Sequence, residues 1–175
     1  MSYAELQKVK DVAPSITPEI KGIVAEGLPL SSRDVQSIND SISRIPKNQY
    51  KVYVAYLAII KIGGFIPWRF NNPGSFRRWN TEIANLNGFA IFATMEEGRR
   101  AQRARYLQMG DMAVKKVIPI LTPESENDTA KYLKDLEKQG IKLDDDVKSQ
   151  VDLLLDAVNK NEGGAGVGIE IKRQN

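Results

Sequence analysis

The longest apolar run, YKVYVAYLAIIKIGGFIPW at residues 50–68, most limits what this chain can become. Lys51, Lys61 and the Gly63-Gly64 pair interrupt it, leaving an unbroken stretch of about nine apolar residues. Crossing a bilayer as a helix takes roughly 20 such residues. The run therefore predicts a buried core element, with a membrane-contacting segment as the alternative, and no transmembrane span. Its length up to the glycine pair predicts a largely buried helix. Its many β-branched and aromatic residues leave a strand as the alternative.

The 175 residues suit one domain of ordinary size with a small appended segment, and an apolar share of 42% can supply its core. Cysteine and histidine are both absent. That excludes disulfide scaffolds, thiolate metal sites, thiol nucleophiles and the usual base of a serine triad. Acid–base chemistry must then use carboxylates, lysine or tyrosine. No cofactor or metal is expected: P-loop, GxGxxG and calcium-loop spacings are missing. The net charge of +3 is too mild to imply a polyanion partner by itself. Charge is nevertheless uneven. Residues 65–116 hold nine basic and four acidic side chains, whereas residues 122–162 hold six basic and eleven acidic. The opening MSYAELQKVKD lacks the apolar core of a signal peptide.

Thr17-Pro18-Glu19 reads as a helix start, and Ser31 or Ser32 as the cap of a second helix. That second helix carries Val35, Ile38, Ile42 and Ile45 on one face and ends at Pro46. Asn72-Pro73-Gly74-Ser75 predicts a type II turn, with Gly74 at the positive-φ position. GFAIFA is a short strand or an approach to the next helix. Thr94 and Glu97 form a capping box before a helix with Ala101, Ala104 and Leu107 on one face. Asp128 caps a helix with Ala130, Leu133 and Leu136 inward, ended by Gly140. Asp144 or Asp145 opens a last helix with Val147, Val151, Leu154, Leu155 and Val158 inward, and the tail IEIKRQN reads as mobile.

Four blocks follow one another in order: RFNNPGSFRR, GFAIFATMEEGRRA, PESENDTAKYLKDLEKQGIKLDDD and LLLDAVNKNEGG. Together they resemble a family of bacteriophage virion structural proteins. The third block includes Glu126-Asn127-Asp128-Thr129 with Tyr132. The likeness runs from Trp68 to about Gly164. Its first half is also similar to lysozyme-like glucosaminidase and transglycosylase domains, where an asparagine-rich turn precedes a small β element walling a glycan cleft. The resemblance implies a lysozyme-like helical domain, peptidoglycan as substrate and residence in the virion after synthesis in the bacterial host cytoplasm. It also implies other virion proteins as partners. Ser75 stands where the family usually has asparagine, and only ten residues separate Arg77 from Gly88, which abbreviates the expected cleft.

Glycan cleavage of this type needs a carboxylic acid held protonated near neutral pH. Glu162 is the first candidate. It lies at a predicted helix C-terminus, where the negative end of the dipole disfavours carboxylate, and it matches the glutamate ending the family's last block. Glu82, in the loop after Trp79, is the second. Asn71, Asn72 and Arg77 can bond sugar hydroxyls or acetamido groups, or else satisfy the turn itself. Trp68 and Trp79 can stack on sugar faces or pack in the core. Arg99, Arg100, Arg103 and Arg105 can contact phosphates of packaged DNA, or form a solvated helix face beside Glu96 and Glu97.

The sequence thus predicts a mainly α (α+β) chain. Residues 1–65 form a helical docking or anchoring segment, residues 66–164 a lysozyme-like domain with a small β element, and residues 165–175 a flexible tail. The expected function is that of a virion structural protein acting in particle assembly or cell-wall penetration, with a homo-oligomer in the particle. Two alternatives stand beside it: an active virion peptidoglycan hydrolase, and a DNA-contacting internal capsid protein.

Overall fold

The computed structural model describes residues 21–25, 29–45, 51–56, 58–125, 128–162 and 168–173. The expected helix start at Thr17, the proline stop at Pro46 and the Glu126-Asn127 pair lie outside them. The chain divides into two compact units, Met1–Gly98 with Ala165–Asn175, and Arg99–Gly164. Helix and strand are mixed, in keeping with an α+β class.

The first unit is built on a four-stranded sheet. β1 (Lys21–Val24) leads through α1 (Ser32–Ile42) to β2 (Val52–Ala55), which pairs parallel to β1. A parallel pair needs such a crossover, and a helix is its usual form. β3 (Ile59–Gly63) returns antiparallel beside β2. The outer place beside β3 is taken by β6 (Gly168–Lys172), also antiparallel, so the order is β1-β2-β3-β6.

Both faces of this sheet are covered. Val24, Tyr53, Ala55, Ile60 and Ile62 pack with Ile38 and Ile42 of α1 and with Ile45. Ile23, Ala25, Val54 and Tyr56 pack with Phe70, Ala84 and Ile91 on the other face. Here the structure corrects the expected buried helix at residues 48–62. A strand buried on both faces loses its polar alternation and reads as a continuous apolar run. The described part of the helical N-terminal segment is accordingly one helix and three strands.

The expected flexible tail is corrected as well. Residues 168–172 are a paired strand, and Arg173 locks its end. The Arg173 guanidinium donates to Asp34 at 3.1 Å and to the carbonyls of Pro29 and Tyr56. Asp34 in turn completes a capping box with Ser31 at the start of α1.

After β3 comes the short α2 (Ile66–Arg69), with Pro67 in its first turn. The following turn closes from the Ser75 N–H to the Asn72 carbonyl at 3.0 Å. Its left-handed residues are Asn71 and Ser75, at φ 52° and 48°, rather than Gly74. Gly74 is needed for room: a Cβ there would lie 2.6 Å from the Phe76 ring. β4 (Ala84–Leu86) and β5 (Phe89–Ile91) form a hairpin. Asn87 and Gly88 connect them with φ 54° and 84°. Two positive φ values in a two-residue loop give the twist a hairpin needs, and Asn-Gly tolerates them best. α3 (Met95–Leu107) then starts on the expected Thr94–Glu97 box.

The second unit holds the rest of α3, α4 (Val114–Leu121), α5 (Thr129–Lys138), a 3₁₀ turn (Lys148–Gln150) and α6 (Val151–Asn161). Its core joins Tyr106, Val114, Val117, Ile118, Leu136 and Ile141 to the expected row Val147, Val151, Leu154, Leu155 and Val158. The inward expectation for Ala130 fails, since it is exposed, and Ala104 is exposed too although it shares a face with the buried Ala101. The buried places go instead to Gln102 and Tyr106 on α3 and to Thr129 on α5. α6 also starts later than Asp144 or Asp145. Leu143 and Asp145 serve the start of α4, their carbonyls accepting from the Lys115 and Val114 N–H groups.

Candidate functional site

The polar residues of the sequence blocks fall into two clusters, one in each unit. The first surrounds Asn71 and Asn72, which are 3% and 0% exposed. The Asn71 amide nitrogen donates to the carbonyls of Phe92 and Ala93, at 3.0 and 3.2 Å. Its Oδ1 accepts from the Lys61 amine at 2.7 Å. The Asn72 amide nitrogen donates to the carbonyls of Phe76 and Ala90, both at 2.9 Å, and its Oδ1 accepts from the Phe76 N–H. Both amides are therefore taken up inside the protein. They tie the turn to the β5 strand and the chain just after it. Sugar contacts by these two side chains are corrected to turn-fixing bonds, because every donor they carry already serves a backbone carbonyl.

Lys61 is the residue that sequence reasoning missed here, although its interruption of the apolar run was visible. It points to the second face of the sheet, 6% exposed, and also donates to the Trp68 carbonyl at 2.9 Å. Its amine lies 5.0 Å from the Trp68 ring centre and 5.9 Å from that of Tyr56, a cation–π setting. Burial lowers its pKa, and Glu170, opposite it on β6, opposes that fall. Arg69 is buried as well. It donates to the carbonyls of Gly63 and Gly64, and burial lowers its pKa to about 10. The Tyr56 hydroxyl donates to the Arg69 carbonyl at 2.6 Å.

The remaining candidates of this unit lie on its turn and hairpin. Trp68 is packed against Gly64 and Gly168, where an added Cβ would come 2.8 and 2.2 Å from its ring. Trp79 stacks on Phe76 at 5.7 Å between ring centres. The Arg77 guanidinium lies 5.0 Å from the Phe89 ring centre. Glu82 accepts from the Trp79 N–H at 3.0 Å and meets Arg78 at 3.4 Å, so it fastens its own loop.

The second cluster centres on Glu162, the C-cap residue of α6. Its carboxylate accepts from the Tyr132 hydroxyl at 3.3 Å. Burial raises the Glu162 pKa above the ordinary carboxyl range, and the Tyr132 hydrogen bond partly offsets this. Burial likewise raises the pKa of Tyr106 and of Tyr132, and the Glu162 charge adds to both. A shallow depression of about 230 Å³ lies beside them, lined by Asp128, Lys131, Tyr132, Asp135 and Asn161. Glu162 is not among its walls. Asp135 is held below the usual range by hydrogen bonds from Lys138 and Lys131. Gln102, fully buried, donates to Asn159 at 2.9 Å and was not anticipated.

The arginines lie along α3 in this unit. Arg103 pairs with Asp152 at 3.1 Å, Arg105 donates to Gln108 at 3.2 Å, and Arg99 and Arg100 are exposed. Among the described residues no cluster of three or more acidic side chains is placed to hold a metal ion, and no helix is long and apolar enough to cross a membrane. No protein-family model, curated protein or solved structure matches this chain.

Proposed function

We propose that this chain is a structural protein of a bacteriophage particle, acting in assembly or cell-wall penetration, with a lysozyme-like stretch over residues 66–164 that has no working glycan cleft. The four ordered sequence blocks support the phage assignment. The burial of Asn71 and Asn72 carries the structural role, since the asparagines of the first block bond to the second block rather than to solvent. The third and fourth blocks meet in the same manner, through Tyr132 and Glu162. Residues that a wall hydrolase would turn toward substrate are here holding one block to another. The protein would reside in the virion beside other virion proteins and copies of itself. A peptidoglycan-clearing assay on purified protein tests this: neither the wild type nor Glu162→Gln is expected to clear. Failure to enter particles would overturn the assembly role.

The hydrolase reading has one observation behind it, the raised pKa of Glu162. In that case Glu162 would be the general acid, protonating the leaving glycosidic oxygen. Clearing by the wild type that Glu162→Gln abolishes, with the fold intact, would establish it. The DNA-contacting reading has less support, since Arg103 is ion-paired to Asp152.

A further inference from the structure

β6 ends the sheet, and among the described residues no strand lies beyond it. The two sheet edges differ. Ile23 and Val24 of β1 are 7% and 6% exposed, whereas every residue of β6 is half-buried or exposed. An exposed edge strand presents unpaired peptide groups that template further pairing.

The direction of those groups follows from the ladder. Antiparallel pairs alternate between hydrogen-bonded and non-hydrogen-bonded. The Arg173 N–H donates to the Ala58 carbonyl at 2.9 Å, so that pair is hydrogen-bonded. By alternation, Ile171 with Ile60 and Ile169 with Ile62 are hydrogen-bonded too. The peptide groups of Glu170 and Lys172 therefore face the open edge.

We infer that β6 pairs antiparallel with β6 of a second copy of this chain, about a two-fold axis at Ile171. This register sets Glu170 opposite Lys172 of the second copy, and Lys172 opposite its Glu170. Both are outward-facing pairs, so each exchanges two peptide hydrogen bonds while its side chains carry opposite charge. Ile171 meets itself at the close, non-hydrogen-bonded position, and with Ile169 continues the apolar face that packs on α1. Registers centred on Glu170 or Lys172 would instead set like charges against each other, which is unfavourable. The interface is isologous, so it closes as a dimer. It goes beyond the assembly role proposed above and rests on the strand geometry alone.

Sedimentation equilibrium of the full chain, with crosslinking in parallel, tests this. The wild type should show a concentration-dependent dimer. Lys172→Glu should weaken association about tenfold or more, by facing glutamate with glutamate twice. The double exchange Glu170→Lys with Lys172→Glu should restore it. Because the chain has no cysteine, Ile171→Cys should link to a covalent dimer on mild oxidation. Across a non-hydrogen-bonded pair the Cα atoms lie about 4.5 Å apart, within disulfide reach. Ile169→Cys, whose copies would sit about 13 Å apart in this register, should not link. A wild type that stays monomeric overturns the inference. So does a dimer indifferent to Lys172→Glu, or equal linking by the two cysteine variants. Any of these leaves the phage structural reading standing, since that reading rests on the sequence blocks and particle incorporation.

Discussion

The amine of Lys61 lies 2.7 Å from Oδ1 of Asn71, joining the middle of the sheet to a left-handed residue in the turn after α2. Asn71 passes the connection on through its amide nitrogen to Phe92 and Ala93. One buried polar chain thus fixes the strand, the turn and the approach to α3. Its members are satisfied together, so removing one exposes the rest to the cost of burial without a partner.

The two ends of that chain should not be equivalent. Lys61→Met keeps the length of the side chain, removes a buried charge and leaves Asn71 Oδ1 without its donor. It should cost about 1–3 kcal/mol. Asn71→Leu leaves the Lys61 amine with the Trp68 carbonyl as its one remaining hydrogen-bond acceptor among the described residues and puts a branched side chain at a positive φ. It should cost about 3–5 kcal/mol. Urea denaturation of both variants measures the difference, and equal losses would contradict the network as described.

Gly98 and Gly88 should respond differently to alanine, although both substitutions add one methyl. A Cβ on Gly98 would lie 1.8 Å from the Asn71 carbonyl oxygen, which is backbone and cannot yield cheaply. Alanine's better helix propensity, worth about 1 kcal/mol, is outweighed, and Gly98→Ala should lose about 3 kcal/mol or more. At Gly88 the nearest atom is the end of the Arg77 side chain at 3.6 Å, so only the φ of 84° resists. Gly88→Ala should lose only about 1–2 kcal/mol. Thermal unfolding of the two variants would show the order, and a reversal would refute the packing at Asn71.

What the sequence disclosed was local. The Ser31 cap, Thr94 with Glu97, Asp128 and the stop at Gly140 each act within four residues, so their identity suffices to place them. The apolar row from Val147 to Val158 has the helical spacing and is buried accordingly. The failures depended on partners distant in the chain. β2 and β3 read as a helix because covers on both faces remove their alternation. The tail strand acquires its pairing from β3, more than 100 residues earlier. α4 has no capping side chain at Ala113, since carbonyls from residues 143 and 145 satisfy its first N–H groups. The small β element was expected and its turn was not, although Asn87-Gly88 is itself the signal for a type I′ turn. The place of Glu162 at a helix end was legible, whereas the burial that raises its pKa was not. The Tyr132 partner was not, because nothing local joins residues 30 apart.

The raised pKa of Glu162 fixes the sign of a pH effect. Unfolded, this carboxyl titrates near the ordinary 4.5; folded, it titrates higher because burial disfavours its charge. Between those values the folded chain holds a proton that the unfolded chain has released. Its contribution to stability is therefore fully present below the unfolded value and is lost as pH rises through the folded one. Glu162→Gln cannot ionise, so it should gain on the wild type as pH rises above the ordinary carboxyl value. Paired urea titrations across that range give the difference directly. A difference that stays flat would mean that the carboxyl is not disfavoured by its surroundings.

Tyr132→Phe separates the two influences on the same carboxyl. The Tyr132 hydroxyl is the hydrogen-bond donor to Glu162 and works against burial, stabilising the charged form. Removing the hydroxyl leaves the buried surroundings in place and takes away the compensation. The Glu162 pKa should then rise further, and the fold should lose about 1 kcal/mol for the missing bond. Carboxyl carbon shifts followed by NMR during a pH titration report the pKa of this one group in both proteins. A fall in pKa would show that the phenol holds the acid form instead, and that the Tyr132–Glu162 bond runs from carboxyl to hydroxyl.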